Sequence, residues 1–137
     1  MNLLEFAIEQ IPIPIIIATA PDVTITNFNQ AALDLITKKP ENMQGVLLKD
    51  FLEHCPTFYP DGTPYRVEDL PLVRAVQRGE EVRNVEMIVR QGADERWISA
   101  NAAPLKDKDG QLLAGIVAFP DITDRKRSEA ERLKLEE

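Results

Sequence analysis

The sequence predicts an α+β domain in which two strands precede a helical middle and three strands follow it. Short β-branched runs near the N-terminus are separated by turn residues, and the middle carries apolar residues at helical spacing. The C-terminal half returns to long apolar strands joined by an Asp-Gly turn. Strands and helices that occur in separate runs, rather than in regular alternation, are typical of this class.

The first half of the chain predicts a helix, a hairpin and a second helix. Asn2 can cap the first helix, and Asn29 the second, because asparagine accepts hydrogen bonds from the free N–H groups of a helix start. Pro21 and the residue after it form the turn of the hairpin. The elements in order are helix Leu3–Gln10, strand Ile15–Ala18, strand Val23–Thr26 and helix Gln30–Thr37.

The middle of the chain predicts two helices around an ordered loop, followed by a long strand. The loop is rich in turns but holds aromatic side chains that favour burial, so it is not a linker. Pro71 is tolerated in the first turn of the second helix, and Gly79 ends that helix. In order these elements are helix Leu47–Glu53, loop Cys55–Tyr65, helix Leu70–Arg78 and strand Val82–Arg90.

The last third predicts a strand hairpin that leads directly into a charged helix. Asp109 and Gly110 close a cluster of charges and are a strong hairpin signal. Pro120 cannot donate to a strand ladder and ends the second strand, after which Asp121 or Thr123 can cap the helix. These elements are strand Trp97–Leu105, strand Leu112–Phe119 and helix Arg125–Glu137.

Composition limits the function of this chain of 137 residues, which is the length of one domain. The net charge of −7 argues against nonspecific binding to nucleic acid and against docking on an acidic membrane surface. The longest apolar stretch, Ile11–Ala18, is too short to span a bilayer, and no basic leader precedes it. The single cysteine, Cys55, excludes an internal disulfide framework and fits a reducing compartment, so we expect a cytoplasmic location.

The run Arg96–Arg127 resembles the C-terminal half of a PAS sensory domain. It contains Trp97, a strand, an Asp-Gly turn, a second strand and then Asp121-Ile122-Thr123. In that family an Asp-Ile-Thr triplet marks the exit from the last strand into a signalling helix. The order of elements over the whole chain is also similar to that of the family.

The resemblance implies a five-stranded antiparallel sheet with short helices across one face, and with the fifth strand paired to the first in its centre. It also implies a division of the chain. Residues 1–11 would be an N-terminal flanking helix and residues 12–123 the sensor domain. Residues 124–137 would begin a signalling helix, or a linker, toward an output domain.

The resemblance implies cofactors that can be compared with the residues present. Haem-binding members ligate iron through a histidine on the helix before the third strand, but Leu70–Arg78 has none, and the single histidine, His54, lies earlier. Flavin photosensors carry a cysteine in an Asn-Cys-Arg-Phe-Leu-Gln motif, which Cys55 does not match. Haem and a covalently linked flavin or other chromophore are therefore disfavoured, and the cofactor stays unknown. The sequence offers no metal cluster and no catalytic constellation, so we expect no enzymatic activity in this domain.

Related domains hold a ligand between the sheet and the helices, and the resemblance indicates which residues would line such a pocket here. They are Phe51, Val73, Val76, Ile88, Ile98, Ala100, Val117 and Phe119. A filled hydrophobic core explains the same residues and is the favoured alternative, although Ala100 and Ala102 leave some room. Glu86 is a polar residue on a strand that could pair with an arginine such as Arg96 or lie at a solvated rim.

The two ends of the chain are the predicted contact and relay elements. An apolar stripe on the first helix either packs on the outer face of the sheet or forms a dimer contact, and it consists of Leu3, Leu4, Ala7 and Ile8. The relay into the last helix is predicted at Asp121, Ile122 and Thr123.

By resemblance, the sequence predicts a sensory module that binds a small ligand or partner and relays the signal through its C-terminal helix to an output domain. A sensor histidine kinase is the expected parent protein. The alternative is a ligand-free module for dimerisation or protein interaction in a diguanylate cyclase or a transcriptional regulator. We expect a homodimer in either case, without nucleic acid or direct membrane contact.

Overall fold

The computed structural model describes residues 3–36, 45–53, 55–91 and 93–136, and within them six strands form one antiparallel sheet. The strands lie side by side in the order β2-β1-β6-β5-β4-β3, so the first and last strands are neighbours in its middle. They are β1 (Ile15–Thr19), β2 (Thr24–Phe28), β3 (Thr57–Phe58), β4 (Val82–Gln91), β5 (Asp94–Lys106) and β6 (Leu112–Ala118).

The α-helices within these residues are α1 (Leu3–Gln10), α2 (Gln30–Ile36), α3 (Leu48–Phe51), α4 (Pro71–Arg78) and α5 (Thr123–Glu136). Of these, α1 precedes the first strand, α2, α3 and α4 lie between β2 and β4 in the chain, and α5 follows the last strand. A short 3-10 turn, Val67–Asp69, leads into the helix before β4. Each helix and strand expected from the sequence is present, and β5 differs most, because it begins at Asp94 rather than Trp97. Three of the residues assigned to caps or helix ends lie outside the described residues: Asn2, Thr37 and Glu137.

The α+β class and the pairing of the first strand with the last are confirmed, but the number of strands is wrong. The additional strand is β3, in the segment predicted to be a turn-rich loop; Thr57 pairs with Val89, and Phe58 with Ile88. Two residues are too few to show a strand pattern in a sequence. The division into flanking helix, sensor domain and linker stays a prediction.

The hairpin of β1 and β2 begins later than expected, because Val23 belongs to its turn. Its backbone has a φ of 58°, a left-handed conformation that β-branched residues rarely adopt. The side chain of Val23 is nevertheless buried in the core, and its N–H donates to the carbonyl oxygen of Thr19 at 3.0 Å. Burial and this hydrogen bond hold the strained residue in place, so regular pairing starts at Thr24.

Helix α4 packs directly on β6 at Gly115. A Cβ atom built on this glycine would lie 2.7 Å from Cγ2 of Val76 and 3.3 Å from Cβ of Ala75. Since Val76 and Ala75 are themselves buried, neither can move aside cheaply. Glycine is therefore required at this point for the helix to approach the sheet.

The buried side chain of Asn29 joins three elements of the N-terminal half. Its Oδ1 accepts hydrogen bonds from the N–H groups of Ile15 and Ala32, both at 3.0 Å, and the second bond is the predicted cap of α2. Its Nδ2 lies 3.3, 3.2 and 2.8 Å from three carbonyl oxygens at the end of α1 and the segment after it, those of Ile8, Ile11 and Ile13. This one amide therefore fixes α1 against β1 and α2.

Candidate functional site

An apolar cavity of about 80 Å³ lies between the sheet and helices α2, α3 and the start of α4. Its sheet wall is formed by Ile16, Met87, Val89, Ile98, Ala100 and Val117. Its helical wall includes Ile36, Leu48, Phe51 and Leu70. Pockets for typical small molecules span roughly 300–1,000 Å³, so the cavity in this structure admits only a compact apolar group.

Most of the residues expected to line a pocket lie on this cavity. They are Phe51, Ile98, Ala100, Val117 and Phe119. Val73 and Val76 do not line it; they are buried in the core beside it, and at Gly115 α4 lies too close to β6 to leave an internal space there. A role of the lining residues in ligand binding stays a prediction.

The prediction that Ile88 faces the helices is wrong, because a bulge shifts the side chains of β4. The register of β4 against β5 is interrupted between Val82 and Val85, where Asn84 has a φ of 54°. One extra residue moves every later side chain to the opposite face. Met87 and Val89 consequently line the cavity, which the sequence did not indicate, and Ile88 lies on the other face. That face, away from α2, α3 and α4, is called the outer face below.

Cys55 also lies on the cavity, and its thiol is buried. Burial raises the pKa of this thiol to about 12, because the charged thiolate is poorly solvated there. The thiol therefore stays protonated at neutral pH and is a weak nucleophile. Its neighbour His54 lies outside the described residues.

The exit from β6 into α5 is held by the Asp121 carboxylate. Asp121 Oδ1 accepts hydrogen bonds from the N–H of Thr123 at 2.8 Å and from the Thr123 hydroxyl at 2.5 Å. Its Oδ2 lies 3.2 Å from Nε of Arg96. Of the two caps that the sequence allowed, the structure uses Asp121, and the Thr123 side chain points back to the sheet.

The same exit is bonded to the beginning of β5. The N–H of Trp97 donates to Thr123 Oγ1 at 2.9 Å, and the N–H of Ile122 donates to the carbonyl oxygen of Trp97 at 2.8 Å. Ile98, which lines the cavity, forms an isolated bridge with Asp121. Phe119, two residues before Asp121, lines the cavity as well. The predicted relay residues thus contact the beginning of β5 and lie next to the cavity.

Glu86 lies on the outer face and pairs with an arginine, as the sequence allowed, but the partner is Arg125 of α5 and not Arg96. Its carboxylate lies 2.9 Å from Nζ of Lys126 and 3.2 Å from Nη2 of Arg125. The hydrogen bond from Lys126 is the main cause that lowers the pKa of Glu86. Lys126 Nζ also lies 4.9 Å from the centre of the Trp97 ring, a cation–π contact. Arg96 pairs with Asp121 instead because the two lie together at the exit.

Helix α1 presents a different apolar face from the expected one. Ile8 is buried against the domain, whereas Leu3 is 83% exposed and Phe6, which the sequence stripe omitted, is 54% exposed. Ala7 is exposed, and the side chain of Leu4 lies outside the described part of the structure. Leu3 and Phe6 are three residues apart and therefore lie on the same side of the helix.

The described residues lack two further features. No group of three or more His, Cys, Asp or Glu side chains among them is arranged to hold a metal ion. None of the helices in those residues is long and apolar enough to cross a membrane.

This fold and sequence define a known family. The sequence profile described as PAS fold matches residues 8–127, and the chain belongs to that family. PAS domains are generally non-catalytic sensory modules that commonly serve signal transduction. Comparison with curated protein sequences gives no match.

Solved structures share the fold at low sequence identity. The PAS domain of nitrogen regulation protein NR(II) from Vibrio parahaemolyticus superposes with a TM-score of 0.61 at 15% identity, over 89% of this chain and 100% of that one. The PAS domain of BvgS from Bordetella pertussis superposes with a TM-score of 0.60 at 18% sequence identity, over 98% of each chain. An RNA-binding light-oxygen-voltage receptor superposes with a TM-score of 0.66 at 18% sequence identity. The match covers 97% of this chain but only 36% of that receptor.

A flavin does not fit the cavity as it stands. A light-oxygen-voltage domain studied with a flavin analogue shares the fold, with a TM-score of 0.62 at 18% identity over 99% of this chain and 97% of that one. The cavity here is about 80 Å³, and only Thr57 and Cys55 among its described lining residues carry a hydroxyl or thiol. A flavin needs a far larger space and polar partners for its ring edge. That a linked flavin is disfavoured stays a prediction.

Proposed function

We propose that this PAS domain is the sensor of a larger signalling protein, in which a compact apolar ligand in the cavity biases the exit helix α5. The observation that carries the proposal is the position of Phe119. It lines the cavity and stands two residues before Asp121, the residue that caps α5. A change in the cavity wall therefore has only a short path to the start of the helix.

The relay works through two packings of this exit. A ligand that fits better when Phe119 and Ile98 move apart favours the packing in which the Asp121 cap is displaced. Such a ligand shifts the equilibrium only by the difference between its affinities for the two packings. Displacement of the cap changes the direction or the order of α5, which leads to the output domain. We take a sensor histidine kinase as that output and place the protein in the cytoplasm, where a reduced cysteine such as Cys55 persists.

The decisive experiment is native mass spectrometry of the domain purified from cells without refolding. A bound mass in the small-molecule range, lost on substitution of Ala100→Leu, supports the sensor. Ala100 lines the cavity and is small, so a leucine there fills the space. A domain that is consistently empty, from cells grown under several conditions, contradicts ligand sensing. The same sample is expected to be colourless, with no absorption band in the visible range.

A ligand-free interaction module is the second candidate, and the cavity volume favours it. About 80 Å³ is small beside typical ligand pockets. In this reading the cavity is a packing defect, and the signal enters through a partner. An empty domain that still transmits a signal in the intact parent protein identifies this second function.

We propose that the domain forms a homodimer through α1. Its exposed Leu3 and Phe6 offer an apolar face at the surface, and the hydrogen bonds of Asn29 hold the end of the helix firmly on the domain. Sedimentation velocity of Phe6→Ser is expected to show a weakened dimer. Leu113→Ser is the matched control, since Leu113 is 51% exposed but lies on β6. Equal dimer stability in both variants contradicts the assignment to α1.

A further inference from the structure

The first turns of α5 carry charges that oppose helix formation. Arg125, Lys126 and Arg127 follow Asp124 directly at the start of the helix. The N-terminal end of a helix carries partial positive charge from its free N–H groups, so cations are unfavourable there. The acidic residues Asp121 and Asp124 offset only part of this charge. A negative charge from elsewhere in the domain would therefore stabilise the start of α5 further.

Glu86 on β4 supplies that charge. Its carboxylate contacts both Lys126, at 2.9 Å, and Arg125, at 3.2 Å, and it lies far from both of them in the sequence. The same lysine sits over the Trp97 ring. Within α5, Glu129 lies 3.7 Å from each of the two cations. The Glu86 carboxylate thus couples the order of α5 to its docking on the outer face of the sheet.

We propose that the start of α5 is an ionic latch that opens as ionic strength rises. The contacts are partly solvated, since the Glu86 side chain is 35% exposed and that of Arg125 is 55% exposed. Partly solvated ion pairs are screened by salt, with a Debye length of about 10 Å at 0.1 M and about 3 Å at 1 M. Screening weakens the attraction of Glu86 for Lys126 and Arg125 and so favours release of the start of α5 from the outer face. The latch makes α5 responsive to salt without any ligand.

The latch lies directly across the sheet from the cavity. On β4, Glu86 faces outward and the next residue, Met87, lines the cavity. On β5, Trp97 faces outward and Ile98 lines the cavity, and Met87 is paired with Ile98. The latch is thus a second point, distinct from the Asp121 cap, at which the sheet contacts α5. It deepens the proposed function, on which it rests, because α5 would then respond to ionic strength as well as to a ligand.

Trp97 is the only tryptophan in the sequence and reports the latch directly. The experiment measures acrylamide quenching of its fluorescence while NaCl is raised from about 0.1 to about 1 M. In the natural protein we expect quenching to rise with salt as Lys126 leaves the ring. Each ion pair lost should change the ratio of docked to undocked helix by roughly two- to fivefold. Glu86→Gln should be quenched strongly already at low salt and should respond little to more.

Two controls make the result specific. Glu95→Gln removes a carboxylate from the neighbouring strand, where Glu95 lies 3.8 Å from Arg90, and it should behave like the natural protein. Lys126→Gln removes the shorter of the two contacts of Glu86 from the helix side, so its quenching at low salt should lie between those of the natural protein and Glu86→Gln. This result guards against a folding defect at position 86.

Three results overturn the latch: quenching of the natural protein that is independent of salt, Glu86→Gln with the natural salt response, or Glu95→Gln with the effect of Glu86→Gln. The assay contains neither ligand nor output domain. An empty cavity in native mass spectrometry therefore contradicts only ligand sensing, and a salt-independent tryptophan contradicts only the latch.

Discussion

The backbone N–H of Trp97 donates a hydrogen bond to the hydroxyl oxygen of Thr123, at 2.9 Å. The same hydroxyl donates its proton to the Asp121 carboxylate, which also caps α5. Thr123 is 2% exposed, so water does not compete for these bonds. The Asp121-Ile122-Thr123 run therefore has divided roles, in which the aspartate caps the helix and the threonine fastens that cap to β5.

Replacement of Thr123 by valine should loosen this fastening without changing the side-chain shape. The Trp97 N–H would lose its acceptor in a partly buried place, which costs about 1 kcal/mol or more. Urea unfolding is the measurement. Thr26→Val is the control, because the Thr26 hydroxyl makes only a long contact of 3.4 Å with the Ile17 carbonyl oxygen. An equal loss of stability in both variants would show that the Trp97–Thr123 hydrogen bond contributes no more than the long contact of Thr26.

Asp121→Ala should uncouple α5 while the domain stays folded. The substitution removes the cap and the partner of Arg96, and loss of a cap costs about 0.5–2 kcal/mol, less than the stability of a typical domain. Signalling output of the intact parent protein is measured alongside thermal unfolding of the domain. Asp124→Ala, which removes a charge from the same helix but leaves the cap bonds, should keep the natural output. Natural output from Asp121→Ala would contradict the relay.

Gly115→Ala should destabilise the domain by about 1–3 kcal/mol, because the new methyl group collides with Val76. A double-mutant cycle with Val76→Ala tests this cause. The smaller side chain at position 76 makes room for the methyl group. The double variant should therefore lose less stability than the sum of the losses in the two single variants. Strictly additive losses in chemical denaturation would mean that the collision is not the reason.

Asn84 should tolerate glycine better than alanine. Its φ of 54° is left-handed, a conformation that costs an alanine about 1–2 kcal/mol and a glycine almost nothing. Chemical denaturation should therefore find Asn84→Gly close to the natural protein and Asn84→Ala clearly weaker. Its N–H bond to Asn101 Oδ1, at 3.0 Å, is available to both variants. Equal stabilities would show that the bulge does not hold this backbone conformation.

The buried thiol predicts a loss of stability in alkali. Burial raises the pKa of Cys55 from 9.0 to about 12. The folded state therefore keeps its proton where the unfolded state has lost it, and the unfolded state is favoured as pH rises. This contribution to stability is complete below about pH 9 and declines between about pH 9 and 12. Urea titrations across that range compare the natural protein with Cys55→Ala, whose stability should fall less. Parallel curves would contradict the buried thiol.

Local sequence signals predicted the elements of the fold well, because their causes are local. Proline and glycine interrupt the chain at the ends of α1 and α4, and Asp109-Gly110 closes the hairpin of β5 and β6. The cap at Asn29 followed from its position before an apolar helical pattern. The full reach of that side chain, to the carbonyl oxygens at the end of α1, was not predictable, because those atoms meet it only after folding.

The candidate site was predicted only in part, and the misses have one cause. Ile88 and Met87 are both apolar, so the pattern of β4 does not say which of them faces inward. The bulge at Asn84, formed by pairing with β5, decides it. The partner of Glu86 was likewise invisible, since Lys126 is 40 residues away in sequence. Each miss is a contact between distant segments.

The sequence by itself determined the class of the fold, the order of its elements and the Asp121-Ile122-Thr123 exit into a charged helix. These depend on neighbouring residues, whose spacing is written in the chain. Only the tertiary structure decided the face that β4 turns to the cavity, the close approach of α4 to β6 at Gly115, and the carboxylate that contacts the cations of α5. Those features depend on strand register and helix approach, which are set when distant segments pack together.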